Sequence, residues 1–266
     1  MIKLISLDLD GTLLDPKGRI TQASKAAVAR AKGAGLRVVI NTGRNAPEAA
    51  WFARETGCDL LTSSVGGALV SDAASGRTIR RWDVPEASGR RALELCLGWG
   101  FRLMIFAGEE TLVSSEYKSF LDRHYPSPAF HKTVVVTDDP LAYMAEHRLP
   151  LTKLHGELNP SRYPLELLAR LEGVALTTSS SHDVELLPAQ ADKGRALTLI
   201  AAQYGLTPDQ CAAVGDSEND LPALRSAGLP IAMGNAPEHV KAATACVAPS
   251  NTEEGAAWAV LHCLEH

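Results

Sequence analysis

Aromatic residues are scarce in this chain, at 5%, and cysteine is scarcer, with five in 266 residues: Cys58, Cys96, Cys211, Cys246 and Cys263. None forms a Cys-x-x-Cys pair, which excludes the usual zinc and dithiol-redox spacings, and five scattered thiols do not make a disulfide framework. They read as small buried hydrophobes. Long basic runs are absent too, and the net charge is -5. Without clustered Lys and Arg to neutralise a phosphate backbone, nucleic acid is not an expected partner. No apolar run is long enough to span a bilayer, and Met1-Ile2-Lys3-Leu4-Ile5 leads into a strand pattern rather than a secretory leader. A membrane is therefore not an expected partner, and the cytoplasm is the expected location.

What is present is the composition of an ordinary globular protein, 45% hydrophobic and 21% charged. A length of 266 residues strains a single core and favours a core with a smaller insertion. Over the first 75 or so residues short apolar runs alternate with helical patterns, the signature of a parallel sheet with crossover helices. Leu4 to Leu9, Leu36 to Ile40 and Leu60 to Thr62 read as strands. Thr21 is placed to cap a helix that Gly33 and Gly35 end, and Pro47 suits the first turn of another. The alternation resumes near Lys193, with a helix to Tyr204, a strand Cys211 to Val214, a helix to Ala227 and a strand Pro230 to Met233. Between lie paired-strand patterns, Phe101 to Ala107 with Thr111 to Ser114 and Val174 to Thr178 with Val184 to Leu187. The expected fold class is α/β: a doubly wound, Rossmann-like core (1–83 and 185–266) with an inserted α+β domain (84–184).

Four segments stand at expected strand ends or helix starts, where open α/β sheets hold ligands. In Asp8-Leu9-Asp10-Gly11-Thr12, residues two apart on a strand share a side, so Asp8 and Asp10 are expected to hold two carboxylates together. At roughly 5 Å and an effective dielectric near 20 they repel by about 3 kcal/mol, which calls for a cation such as magnesium or a shared proton. One carboxylate can attack phosphorus while the other shuttles a proton. A plain Asp-Gly surface turn is the competing reading. Asn41-Thr42-Gly43-Arg44 offers a hydroxyl and backbone amides to phosphate oxygens, or is simply a strand-helix turn capped by Thr42. Lys193 opens a helix, where a cation is disfavoured unless an anion faces it; a solvated lysine is the alternative. Gly215-Asp216-Ser217-Glu218-Asn219-Asp220 crowds acids at the top of a buried strand, costly without a metal or polar ligand, unless Ser217 or Asn219 merely caps the next helix.

In this order the four segments resemble the four motifs of the haloacid dehalogenase superfamily, and their surroundings are similar to the Cof-type hydrolases with a type IIB cap. The likeness covers Leu7 to Leu14, Val39 to Arg44, Glu185 to Ala196, Ala213 to Leu224 and the tail Ile231-Ala232-Met233-Gly234-Asn235-Ala236. It implies a magnesium-dependent phosphatase of small phosphorylated metabolites working through an aspartyl-phosphate. Asp8 would be the nucleophile and Asp10 the general acid and base. Magnesium would be held by the Asp8 side chain, the Asp10 backbone carbonyl and Asp216, with Asp220 orienting metal-bound water. Thr42, the Gly43 amide, Lys193 and Asn219, together with Leu9, would contact the phosphoryl group or substrate.

The resemblance implies further that the inserted segment is a cap that closes over the substrate and selects it, with Glu116, Tyr117, Arg123, His124 and His155 as candidate lining. Sugar phosphates lead as substrates, ahead of phosphorylated cofactors. One departure stands out: relatives carry Asn-Gly-Ala where this chain has Gly66-Gly67-Ala68. A phosphosugar mutase using the same aspartyl-phosphate and a non-catalytic metabolite-binding regulator are the competing functions.

Overall fold

The computed structural model describes residues 1–125, 127–157, 163–179 and 182–266. They form two compact units, Met1–Arg80 with Asp192–His266, and Arg81–Ala191. Among the described residues no helix is long and apolar enough to cross a membrane.

The first unit is built on five parallel strands in the spatial order Arg37–Ile40, Leu4–Leu7, Cys211–Gly215, Leu229–Ala232, Cys246–Val247. Counted along this unit the order is 2-1-3-4-5, which reverses direction between Leu4–Leu7 and Cys211–Gly215. Loops leaving the carboxyl ends of those two strands diverge and open a crevice. The central strands are buried on both faces, which explains their near-continuous apolar runs, interrupted in Leu4–Leu7 by Ser6. Ile5, Leu7, Val38, Ile40, Ala212 and Val214 pack with helices Gln22–Gly33, Ala46–Thr56 and Gly255–His262. The flanking helices start where the sequence supplies caps: Thr21 accepts from the Ser24 N–H, and Asn45 from the Glu48 N–H with Pro47 in the first turn. The expected third strand departs from the parallel sheet. Leu61–Ser64 pairs antiparallel with Leu69–Asp72 in a separate three-stranded sheet, touching the main sheet by the bridge Asn41↔Ser63. Helix Ala46–Thr56 is the crossover behind that parallel bridge, and a hairpin-like return through Val65–Gly67 leads on to the antiparallel partner.

The second unit holds a six-stranded sheet, Val174–Thr177, Asp183–Pro188, Leu151–Glu157, Arg102–Ala107, Glu110–Val113, Val135–Val136, antiparallel except for its last pair. Strand Asp183–Pro188 pairs with Leu151–Glu157, so Glu185 to Ala191 belong to this unit rather than to the core segment expected from residue 185, and Arg81 to Asp83 join them. One face of the sheet packs on helix Glu86–Gly98 through Leu103, Ile105, Leu154, Leu186, Ala92 and Leu93. Along Leu151–Glu157 the alternate positions Lys153, His155 and Glu157 point the other way. There the Lys153 ammonium lies 2.6 Å from Glu185 Oε1, with His155 Nδ1 at 3.6 Å from the same oxygen. Tyr117, a candidate pocket residue from sequence, is instead buried with its hydroxyl on Glu157.

Burial alone would raise the Glu185 carboxyl, but Lys153 and His155 outweigh it and hold that group well below the usual carboxylate range. Its contribution to stability is therefore present above the ordinary Glu value of ~4.3 and fades as pH falls below it. Removing one partner leaves a buried charge unbalanced, so Lys153→Met is expected to destabilise this unit by roughly 3 kcal/mol, and Lys153→Met/Glu185→Leu by much less. Hydrogen exchange at the amides of Leu151–Glu157 reads the loss in this unit; equal losses in both variants would assign the cost to packing instead of charge.

Candidate functional site

Asp8 follows directly on the first strand and donates its backbone N–H to the Val214 carbonyl at 3.1 Å. The strand stops at Leu7, two residues earlier than the pattern suggests, because the chain enters a single wide turn with Leu13 N–H on the Asp8 carbonyl and Leu14 N–H on that of Leu9. Such turns recur at functional sites. Gly11 makes it possible: its φ is +76°, and a Cβ there would lie 2.1 Å from Asp216 Oδ2. Leu9 sends its side chain wholly into the core, leaving only main chain to face a ligand.

Across the crevice, strand Cys211–Gly215 delivers Asp216 and Asp220. Asp220 Oδ2 accepts from the N–H groups of Asp216 and Ser217, both at 3.0 Å, and from Ser217 Oγ at 3.2 Å. Ser217 stands at the N-cap and folds the turn jointly with Asp220 as a capping box, while Asn219 Oδ1 accepts from Ser217 Oγ. Asp216 is held by Thr12 Oγ1 at 3.2 Å and Asn235 Nδ2 at 3.3 Å, and the same Asn235 amide bonds the Gly11 carbonyl at 2.8 Å.

Lys193 connects the two sides. Asp192 caps its helix, accepting from the Arg195 N–H at 2.8 Å. The buried Lys193 Nζ lies 2.6 Å from both Asp8 Oδ1 and Asp220 Oδ1. The anion expected in front of this lysine is a pair of carboxylates. The helix start is located by Asn41 Nδ2 on the Lys193 carbonyl at 2.9 Å and by the Val65–Gly67 turn. A Cβ on Gly67, at φ +93°, would stand 2.3 Å from the Asp192 carbonyl.

Oxygens of Asp8, Asp216 and Asp220 lie within 4.8 Å of one another. At that spacing and a dielectric near 20, each pair repels by about 3 kcal/mol. Three carboxylates face one ammonium. Burial, then Asp220, Asp216 and Asp10, raise the Asp8 carboxyl well above its ordinary value against the pull of Lys193. Burial, then Asp220, push Asp216 up to about 7. Burial would lower the Lys193 ammonium, but Asp220 and Asp8 together more than offset it, so it stays charged. Crowded oxygen donors with surplus negative charge suit a hard divalent cation, and the residues present fit one.

Asp10 departs from expectation. Because the strand has ended, its side chain does not join Asp8 but turns out, 60% exposed, to Arg44. Arg44 Nε and Nη2 reach Asp10 Oδ2 and Oδ1 at 2.8 and 2.6 Å, while Nη1 reaches Glu48 Oε1 at 2.9 Å. Asp220 takes the place in the carboxylate cluster that the sequence assigned to Asp10. Thr42 is fully buried, its hydroxyl accepting from the Arg44 N–H at 3.2 Å, and Gly43 lies between them in that turn. Asn41, Glu48 and Asn235 are contributors that sequence reasoning gave no role. Their signal was faint: polar side chains beside motif residues, indistinguishable from turn caps.

A family profile described as haloacid dehalogenase-like hydrolase matches residues 5–260. The phosphatase YwpJ of Bacillus subtilis is 27% identical, the match covering 99% of this chain and 100% of that one. The 5-amino-6-(5-phospho-D-ribitylamino)uracil phosphatase YwtE of the same organism is 28% identical over 97% of this chain and 96% of that one. A solved haloacid dehalogenase-like hydrolase from B. subtilis superposes with a TM-score of 0.85 at 25% identity, covering 98% and 99% of the two chains.

With Asp216 near 7, a cation entering the cluster below that pH has to displace a proton. Calorimetric titration of magnesium in two buffers of different ionisation enthalpy is expected to show proton release on the acid side of neutrality that Asp216→Asn diminishes. Binding without proton release on the acid side would contradict the raised Asp216 value.

Proposed function

Since the chain belongs to the haloacid dehalogenase-like hydrolases and is a phosphatase of that family, we propose that it hydrolyses phosphomonoesters of small metabolites with magnesium as cofactor and Asp8 as phosphoryl carrier. The observation that carries this reading is the buried Asp8 carboxylate, in contact with Lys193 and clustered with Asp216 and Asp220 at the sheet's switch point.

Magnesium would be held by the Asp8 side chain, the Asp10 carbonyl and Asp216, and supplies positive charge that lets an anionic nucleophile meet an anionic phosphate. The Asp220 carboxylate is already committed to Lys193 and two backbone N–H groups, which suits a supporting place behind the ligands. An Asp8 oxygen attacks phosphorus as the bond to the leaving oxygen breaks, and Asp10 gives that oxygen a proton. Asp10, now a carboxylate, takes a proton from water, which attacks the aspartyl-phosphate; inorganic phosphate leaves and Asp8 is restored. Lys193, Thr42, the Gly43 amide, Asn219 and the Leu9 main chain are assigned to the phosphoryl oxygens, whose charge such groups stabilise. Sugar and polyol phosphates are the leading substrates, supported by the relative named for a phosphorylated ribityl compound. The second unit is assigned the choice among them, and the cytoplasm is the proposed location.

Phosphate release from para-nitrophenyl phosphate and a panel of sugar and cofactor phosphates, with magnesium or with EDTA, tests this. Activity is expected to need the metal and to disappear in Asp8→Asn, which stays folded; Asp8→Asn turning over at the wild-type rate would sink the assignment. Asp10→Asn is expected to lose roughly 10²–10⁴-fold in turnover while calorimetry still finds magnesium bound. An isomeric phosphate ester in place of inorganic phosphate would mark a mutase.

A further inference from the structure

We infer that Arg44, braced by the buried Glu48, is the positioning residue that aims the Asp10 carboxyl at the leaving oxygen; this rests on the phosphatase reading. Asp10 needs such a device. It stands on a turn, and its side chain is 60% exposed. A proton donor must lie within hydrogen-bond reach of the oxygen it serves, and an exposed carboxyl free to change rotamer spends little time there.

The geometry fixes that carboxyl from a rigid base. Arg44 grips both Asp10 oxygens with its planar fork, at 2.6 and 2.8 Å. The guanidinium is itself immobilised: its side chain is 12% exposed and lies over the Phe52 ring at 5.1 Å, and its remaining arm reaches Glu48. The Arg44 main chain is pinned too, with its carbonyl on the Val65 N–H at 2.7 Å and its N–H on Thr42 Oγ1 at 3.2 Å. Glu48 explains itself in the same terms. A carboxylate with 1% exposure is costly unless paired, and it is paired with Arg44, which also grips Asp10. The order is therefore Glu48, Arg44, Asp10, running from the buried wall of helix Ala46–Thr56 to the reacting group. Both transfers pass through the atom so held: the proton given to the leaving oxygen as its bond to phosphorus breaks, and the proton taken from water as phosphate departs.

A positioning role leaves a mark that a structural or substrate-binding role does not. Protonation of the leaving oxygen matters most for poor leaving groups, so loss of aim should steepen the dependence on leaving group. The experiment measures kcat/KM, which reports the first transfer alone, at saturating magnesium with a series running from para-nitrophenyl through phenyl to para-methoxyphenyl phosphate. Wild type is compared with Arg44→Met, Arg44→Lys, Glu48→Gln and Arg44→Met in an Asp10→Asn background, each checked for folding by calorimetry.

Arg44→Met is expected to change the para-nitrophenyl ester within a few-fold and the poorer leaving groups by roughly tenfold or more. Arg44→Lys and Glu48→Gln should move the same slope part of the way, and Arg44→Met should add nothing once Asp10 is Asn. A uniform drop across the series, or a further loss in the Asp10→Asn background, would overturn the inference. A wild-type protein inactive on every ester would overturn the phosphatase reading itself and this inference with it.

Discussion

The Lys193 ammonium is the interaction on which the rest of the site depends. It is buried between Asp8 and Asp220, which leave different strands on either side of the point where the sheet reverses order. Without that cation, two buried carboxylates would face each other across the crevice, and the strand ends would repel. With it, both are fixed at hydrogen-bond distance and negative charge is still left over at Asp216. The fold serves this contact: Gly67 and Gly194 approach so closely that a Cβ on either would strike backbone of the helix start or of Pro222. The lysine is placed by backbone packing and does not search for its partners.

Asp8 and Asp10 are two residues apart and receive opposite treatment. One is walled in by core and carboxylates; the other is turned toward solvent on an arginine. Two like groups in unlike surroundings are how one site obtains two chemical roles from carboxylates. Here the device that separates them is the early end of the strand at Leu7 and the turn that Gly11 permits.

Much of this was legible in the sequence. Strand Cys211–Gly215, the helix from Lys193, the cap at Thr21 and the first-turn Pro47 follow from apolar runs and turn residues, which act locally. The four motif segments were legible because acids, a lysine and a hydroxyl at strand ends have few bland explanations when they recur. What escaped depends on tertiary geometry. The Asp8–Asp10 pairing failed because period-two reasoning assumes the strand continues, and backbone bonding at the turn overrode it. Asp220's place in the cluster depends on a fold-back of its own loop, and Glu48 became meaningful only when Arg44 was seen to bridge it to Asp10. That strand Leu61–Ser64 takes an antiparallel partner, Leu69–Asp72, besides its parallel bridge to Asn41 escaped because the short Leu60 to Thr62 pattern does not state its partner.

The interrupted core also sets an order of events for the growing chain. Strand Leu4–Leu7 finds one neighbour in Arg37–Ile40 soon after synthesis, but its other neighbour, Cys211–Gly215, emerges only after the whole intervening unit. At about 5–20 residues per second that wait is on the order of ten seconds or more. Meanwhile every strand of the second unit's sheet lies between Arg102 and Pro188 and can pair at once. The insertion therefore completes itself first, while the unfinished core carries an open, apolar strand edge, the kind of surface that chaperones cover and neighbouring chains capture.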